Sequence, residues 1–340
     1  MEILIKTFVL GANHGQYLQA LGLSRQVKRI NSKIKIYHPF HHNHFFKELL
    51  IHINRGSIIK FFSFMFFWFK RFKFVSKNKK FPIVIYGSDM VWHFQSNLFR
   101  PDIYYFQKNH VDEISISFAP STSWRNIYKE PSFKSLISKF QHVSVRDNST
   151  FDLVNEVSNI SPSIVCDPAF FILDNNLVKQ TTSRKNEYKL NVGIYGHSKV
   201  FDPIINNYSD LFGNASIESF TYRKRIDYFL RFYEQFSDPL NIIKSYQNKD
   251  FIFTNTFHGI ILALISRKPF LAIASKNLYS RIEIYKNFFY EKRILREEYF
   301  SIDNLDFDYL LETKDIKYDE LNKFIESSKN WLSKYLSKYL

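Results

Sequence analysis

The chain has 340 residues, 45% of them hydrophobic and 18% aromatic, and its 47 basic against 32 acidic side chains give a formal charge of +15. That length is generous for one core and suits two domains, while a single cysteine, Cys166, excludes an internal disulfide framework and fits a reducing compartment. The positive balance points to an anionic partner, whether phosphorylated substrate, acidic polysaccharide, anionic lipid or nucleic acid.

The opening residues, MEILIKTFVLGANHG, lack a basic n-region followed by a small-residue cleavage site, so no secretory leader is expected. Ile3–Leu10 predicts a compact strand and Gly11–Gly15 a glycine-bounded loop. Tyr17–Ile30 predicts a helix, with apolar residues at Leu18, Leu21, Leu23, Val27 and Ile30. The Gly-x-x-x-Gly of that loop falls short of the dinucleotide fingerprint. Lys33–Tyr37 predicts the next strand, followed by a loop crowded with His38, His41, His42 and His44. No carboxylate or cysteine completes a ligand set there, so no metal is expected. The most hydrophobic segment is Ile58–Phe69, IIKFFSFMFFWF, interrupted by Lys60 and followed by KRFKF. It is shorter than the roughly 18–20 apolar residues that cross a bilayer. Two readings stay open for residues 58–74. One is an aromatic helix that lies in a membrane interface, flanked by Lys60, Lys70, Arg71 and Lys73. The other is a core-facing helix with a basic exposed end.

Phe81–Tyr86 predicts a strand ending at Gly87-Ser88-Asp89, and Glu113–Phe118 another ending at Ala119-Pro120-Ser121. A helix over Ser132–Phe140 leads to strand Val143–Val145 and then to Arg146-Asp147-Asn148-Ser149-Thr150. An arginine directly after a strand, with Asp and Thr where a helix over Phe151–Glu156 is capped, suits holding an anion. Ile164–Val165 leads to Cys166-Asp167-Pro168. The polar run 179–189 is the linker candidate, dividing a first domain at 1–178 from a second at 190–340. Leu190–Tyr195 predicts a strand running into Gly196-His197-Ser198, and Ser216–Tyr222 a second. Arg223-Lys224-Arg225 forms a solvated basic cluster, and Tyr228–Phe236 predicts a helix.

The chain is organised around FIFTNTFHGIILALISRKPFLAI, Phe251–Ile273. It reads as a buried strand (Phe251–Thr254), a polar turn (Asn255, Thr256), a Phe-His-Gly step, an apolar helix from Ile260, and a second apolar run, Pro269–Ala274. In open α/β sheets ligands sit at such carboxyl edges, and the N–H groups that open a helix welcome an anion. His258 is the side chain there that moves a proton near neutral pH; a satisfied histidine at a helix cap is the bland alternative. Lys276 and Arg281 place cations near the same edge. An amphipathic helix over Tyr318–Leu340 packs against the body. The doubled succession of strand, small polar turn and helix describes a repeated βα architecture.

Five collinear segments, GANHGQYLQALGL, IVIYGSDMVWHF, VSVRDNSTFDLV, IVCDPAFFI and FTNTFHGIILALISRKPFLAI, resemble the polysaccharide pyruvyl transferase family. The resemblance implies an α/β fold built as a GT-B-like pair of Rossmann-type domains with a central cleft and a C-terminal amphipathic helix. It implies transfer of a pyruvyl group from phosphoenolpyruvate onto two hydroxyls of a sugar, forming a cyclic ketal, with no metal or other cofactor. His258 matches the family's catalytic histidine, a general acid and base. Arg146, Thr256, Gly259, Lys276 and Arg281 are implied on the donor side, and Asn13, Gly15, Ser88 and Asp89 on the acceptor side. The implied acceptor is a capsule or exopolysaccharide sugar, or its lipid-linked precursor, met in the cytoplasm or at the inner face of its membrane. An anionic membrane surface is a further expected partner. The sequence departs from the family's pattern at His14, where an aromatic is usual, and at Asn255-Thr256 in place of Asp-Ser. A glycosyltransferase of the same architecture using a nucleotide sugar is the second reading. A basic, non-enzymatic membrane or nucleic-acid binder is the third, although no nucleic-acid-binding signature is present.

Overall fold

The structure, a computed structural model, describes residues 1–40, 42–76, 79–92, 112–122, 131–173, 190–196, 198–206, 216–220, 237–301 and 305–340. His41, the side chain of His44, the linker 179–189, His197, the cluster 223–225 and the helix expected over 228–236 lie outside the described residues. The chain divides into two compact units. One comprises Met1–Asn54, Lys60–Ile172 and Glu320–Leu340; the other comprises Arg55–Ile59 and Leu173–Asp319.

In chain order the elements begin β1 (Glu2–Lys6), α1 (His14–Ile30), β2 (Lys35–Pro39), α2 (His42–Asn54), α3 (Ile58–Arg71), β3 (Phe74–Val75) and β4 (Ile83–Tyr86). They continue with β5 (Ile114–Ser117), α4 (Pro131–Ile137), β6 (His142–Val145), α5 (Asn148–Val157) and β7 (Ser163–Ile164). Among the described residues these strands form one seven-stranded sheet of order β3-β2-β1-β4-β5-β6-β7, parallel throughout. Strands covered on both faces read as continuous apolar runs, which is why EILIK and IVIY were legible. The strand order reverses between β1 and β4, and in such sheets the crevice beyond the carboxyl ends at that reversal is where ligands bind.

Several boundaries differ from expectation for local reasons. β1 stops at Lys6, because Thr7 turns away to donate its hydroxyl to the Ser88 carbonyl (3.1 Å), and Leu10 takes a left-handed φ of 64°. α1 starts at His14 because Asn13 is its N-cap, accepting from Gly15 N (2.8 Å) and Gln16 N (3.4 Å). α2 was hidden by its histidines; it packs through Phe45 and His52 on Phe61 of α3, with ring centroids 5.4 and 5.7 Å apart. His38 is no loop residue but a buried member of β2. Its Nε2 lies 3.1 Å from Ser24 Oγ and its ring packs against Phe72 and Phe74.

The second unit contains β8 (Asn191–Tyr195), β9 (Ser216–Ser219), α6 (Asn241–Gln247), β10 (Phe251–Thr254), α7 (Phe257–Ile265), β11 (Phe270–Ala274), α8 (Lys276–Arg281) and β12 (Ile294–Arg296). Its described strands form a parallel sheet of order β12-β11-β10-β8-β9, which reverses between β8 and β10. Both sheets therefore carry the α/β, Rossmann-like character expected.

The last helix, α9 (Tyr318–Leu336), was assigned from sequence to the second domain. From Glu320 onward it belongs instead to the first unit. Its buried stripe of Leu321, Ile325, Ser328, Leu332 and Leu336 faces inward. Ser328 Oγ accepts from Cys166 N (2.8 Å), Trp331 meets Phe118, and the Tyr335 ring lies 4.1 Å from that of His142.

Burial of His38 has a thermodynamic consequence. It pushes the imidazole from 6.5 down to about 3, so the unfolded chain binds a proton that the folded chain refuses between those pH values. Stability should therefore fall as pH drops below about 6.5, by up to about 1.4 kcal/mol per pH unit for this one group. Urea denaturation at stepped pH checks this: His38→Gln should reduce the acid slope by about one proton, and an unchanged slope would refute the assignment.

Candidate active site

In the second unit, β8 and β10 run side by side with Tyr195 opposite Thr254. The Thr254 hydroxyl donates to the Tyr195 carbonyl at 2.7 Å, closing the carboxyl ends of the two strands together. Just beyond, Gly196 adopts a φ of 153°, and a Cβ there would come within 1.8 Å of Asn255 Oδ1. The two turns thus abut so closely that only glycine fits. α7 begins at Phe257, earlier than the Ile260 expected. Extended Thr256 (φ −128°, ψ 149°) caps it, accepting from Gly259 N at 3.1 Å. His258 accordingly sits in the first helical turn, half-buried, edge-on to the buried Phe257 ring at 5.3 Å. Gly259 is needed for packing: a Cβ would lie 1.9 Å from Thr254 Oγ1. Arg281, at the end of α8, lays its guanidinium 4.9 Å from the centroid of Phe257, one ring away from His258. This places an imidazole, a helix start rich in N–H donors and a guanidinium at the sheet's reversal point.

The first unit presents a second such edge. Asn13, exposed, caps α1, and Gly15 is buried in that helix's first turn. Ser88 and Asp89 follow β4, both buried, with Asp89 at a φ of 79° and its carbonyl accepting from Ser121 N (2.8 Å). Arg146, expected to hold the donor's anionic groups, is placed otherwise. It is fully buried, donating to Asp167 Oδ2 (2.8 Å), Asp89 Oδ1 (3.4 Å) and Ser121 Oγ (3.3 Å). Burial opposes its charge, but Asp167, Asp89 and Asp147 outweigh that and hold the guanidinium above its ordinary pKa. Asp167 also accepts from Gln19 Nε2 (2.6 Å) and Ala169 N (2.9 Å). The arginine fastens loops together within the first unit.

Residues 13–277 match the sequence profile described as polysaccharide pyruvyl transferase. The chain belongs to the polysaccharide pyruvyl transferase family. It is a transferase, and no curated protein matches it in sequence. Its fold resembles that of the UDP-GlcNAc 2-epimerase of Neisseria meningitidis bound to UDP-GlcNAc. That likeness has 12% identity and a TM-score of 0.50, covering 97% of this chain and 93% of that one. A second UDP-N-acetylglucosamine 2-epimerase structure matches at 12% identity and TM-score 0.53, covering 100% and 97% of the two chains. At these identities the likeness concerns the fold.

Around the transferase's histidine, the remaining predicted cation stands apart. Lys276 is exposed at the start of α8 and lines a cavity of about 580 Å³ with Ser275, Tyr279, Arg296, Glu297 and Glu298. That cavity lies beyond the carboxyl ends of β11 and β12, and His258 does not line it. Two groups beside Asn13 were not singled out as site residues. His14 meets the Phe64 ring at 5.0 Å; burial and then the Lys60 charge hold it well below 6.5. Burial lowers Lys60 itself to about 7. Only the folding of α3 over α1 brings these two together. Among the described residues, no group of three or more His, Cys, Asp or Glu is arranged to hold a metal ion.

Arg146→Ala should destabilise the transferase by about 3–5 kcal/mol, because it strands buried Asp167; chemical denaturation measures this. A variant that melts like wild type would contradict the assignment. Gly259→Ala should cost about 1–3 kcal/mol through overpacking against Thr254. It should also disturb histidine chemistry, visible as a shifted His258 ring resonance in NMR titration.

Proposed function

We propose that this transferase moves a pyruvyl group from phosphoenolpyruvate onto two hydroxyls of a sugar in a surface polysaccharide or its lipid-linked precursor, with His258 as general acid and base. The observation that carries this reading is the position of His258, in the first turn of α7 at the reversal point of its sheet. Proton transfer to the donor's methylene carbon makes it a methyl group and leaves an oxocarbenium-like centre at the neighbouring carbon. The first sugar hydroxyl adds there and gives up its proton, inorganic phosphate departs, and the second hydroxyl closes the ketal. Of the two hydroxyl protons, one balances the proton delivered to carbon and the other leaves with phosphate. One imidazole alternating between its two forms serves both transfers, which is typically worth about 10²–10⁴-fold.

The donor's phosphate and carboxylate call for fixed positive charge. Arg281 beside Phe257 and the helix start capped by Thr256 supply it, with Gly259 letting that helix start pack closely on Thr254. Lys276 belongs to the same carboxyl edge and is the more peripheral cation. We assign Asn13, Gly15, Ser88 and Asp89, at the reversal point of the first sheet, to the acceptor sugar. This chemistry asks for no metal. Action in the cytoplasm, in capsule or exopolysaccharide assembly, agrees with a buried unpaired Cys166.

A thermal-shift titration tests the donor, with phosphoenolpyruvate set against UDP- and CMP-sugars. A ligand at about a hundred times its dissociation constant stabilises the fold by roughly 2.7 kcal/mol, and phosphoenolpyruvate should do so where nucleotide sugars do not. His258→Gln should retain its melting temperature and lose about 10²–10⁴-fold in acceptor-dependent phosphate release. Stabilisation by a nucleotide sugar alone would overturn the reading in favour of glycosyl transfer.

A further inference from the structure

α2 and α3 each leave one apolar stripe uncovered. Phe46, Leu50 and Ile53 on α2, and Phe62, Phe66 and Phe69 on α3, are 44–60% exposed. Both sets follow the same i, i+4, i+7 spacing, so each lies along one helix face. Most of the large apolar side chains left exposed among the described residues fall in this one stretch. The opposite face of α3 is firmly docked. Phe61, Phe64, Met65 and Trp68 are buried, Trp68 Nε1 donates to the Gly11 carbonyl at 3.0 Å, and the Trp68 ring packs on Tyr17. The exposed stripe is therefore the outer side of a fixed element.

Charge accompanies it. Residues 42–73 contain six basic side chains, Lys47, Arg55, Lys60, Lys70, Arg71 and Lys73, against one acidic, Glu48. Lys47, Arg55, Lys70 and Lys73 are exposed, and the Lys70 ammonium lies 5.8 Å from the Phe66 ring centroid. Aromatic rings on an outer face with cations at its margin suit the boundary between lipid headgroups and acyl chains. No described helix is long and apolar enough to cross a membrane, so this one would lie on the surface. A second copy of the chain fits less well, since it would oppose like charges.

We propose that the outer faces of α2 and α3 seat the protein on an anionic lipid bilayer, the aromatic and aliphatic side chains entering the interface and the flanking lysines and arginines meeting lipid phosphates. Because α3 grips the Gly11 loop, docking would hold the Asn13 edge near the bilayer surface, where a lipid-linked acceptor is found. That last point rests on the proposed function; the docking itself does not.

Co-sedimentation of the full chain with phosphatidylcholine vesicles, and with equimolar phosphatidylcholine and phosphatidylglycerol, tests it. Wild type should pellet with the anionic vesicles, less so at high salt. The triple variant Phe62→Ser, Phe66→Ser, Phe69→Ser should keep its melting temperature and bind about tenfold more weakly or worse. Lys70→Gln with Lys73→Gln should weaken low-salt binding by about fivefold per lysine. Failure of wild type to pellet, or equal pelleting of the triple variant, overturns the proposal. So does a concentration-dependent dimer, seen by analytical ultracentrifugation, that the triple variant abolishes without any vesicle binding. None of these outcomes bears on phosphoenolpyruvate stabilisation, so the two readings fail separately.

Discussion

The first unit depends on a fully buried guanidinium. Arg146 joins the turn after β4, through Asp89, to the segment after β7, through Asp167, with Ser121 of the turn after β5 on the way. Asp167 carries the connection on to Gln19 in α1. Desolvating such a set is costly, and its net worth against a well-packed apolar set is small or negative. Its value lies in directionality: carboxylate oxygens and guanidinium N–H groups accept few arrangements, so the loops they join are held in one. Asp147 extends the lock by accepting from Thr150 N and Oγ1, while Thr150 Oγ1 accepts from Thr122 N. An edge built this way can hold left-handed residues at Leu10, Asp89 and Ala119, conformations that persist where the surroundings over-determine them.

The second unit solves the same problem with another buried arginine. Arg293 takes Asp315 in a two-point ion pair at 2.7 and 2.6 Å and donates further to the carbonyls of Phe270, Leu310 and Glu312. Burial works against the Asp315 charge, yet the Arg293 and Tyr309 partners bring its pKa below the usual carboxylate value. This lock sits at the amino end of β11 and the start of β12. It leaves the carboxyl edge, with His258, to be shaped by lighter means: a threonine cap, two close-packed glycines and a Thr254 bridge to Tyr195.

How much of this was legible in the sequence follows from what each signal depends on. β8, β10 and β11 were plain because parallel strands buried on both faces are short unbroken apolar runs. β3 and β12, two and three residues long, are too short for any periodicity to register. The start of α7 was missed because Thr256-Phe257-His258-Gly259 looks like a turn; only the cap hydrogen bond reveals it as a helix entrance. Arg146 illustrates a harder limit. A strand followed by Arg-Asp reads identically for an anion site and for a buried counter-ion set. The deciding partners, Asp167 and Asp89, stand 21 and 57 residues away. The amphipathic stripe of α9 announced that the helix packs, but a stripe does not name its partner, and here the partner is the first unit.

The same distinction governs the net charge of +15. Arg146 and Arg293 are fully buried and internally paired, so they add little to the field outside the protein. Part of the surplus felt by a ligand lies over residues 42–73, which hold six basic side chains and one acidic. A small anionic donor of the kind proposed needs only a helix start and one or two cations within reach. A row of dispersed lysines beside exposed rings does little for such a ligand, since exposed charges are screened over about 8 Å at physiological salt. A continuous anionic surface satisfies all of them at once. Two sets of cations so differently arranged match the two proposed anionic partners, one held at a point and one met across a plane.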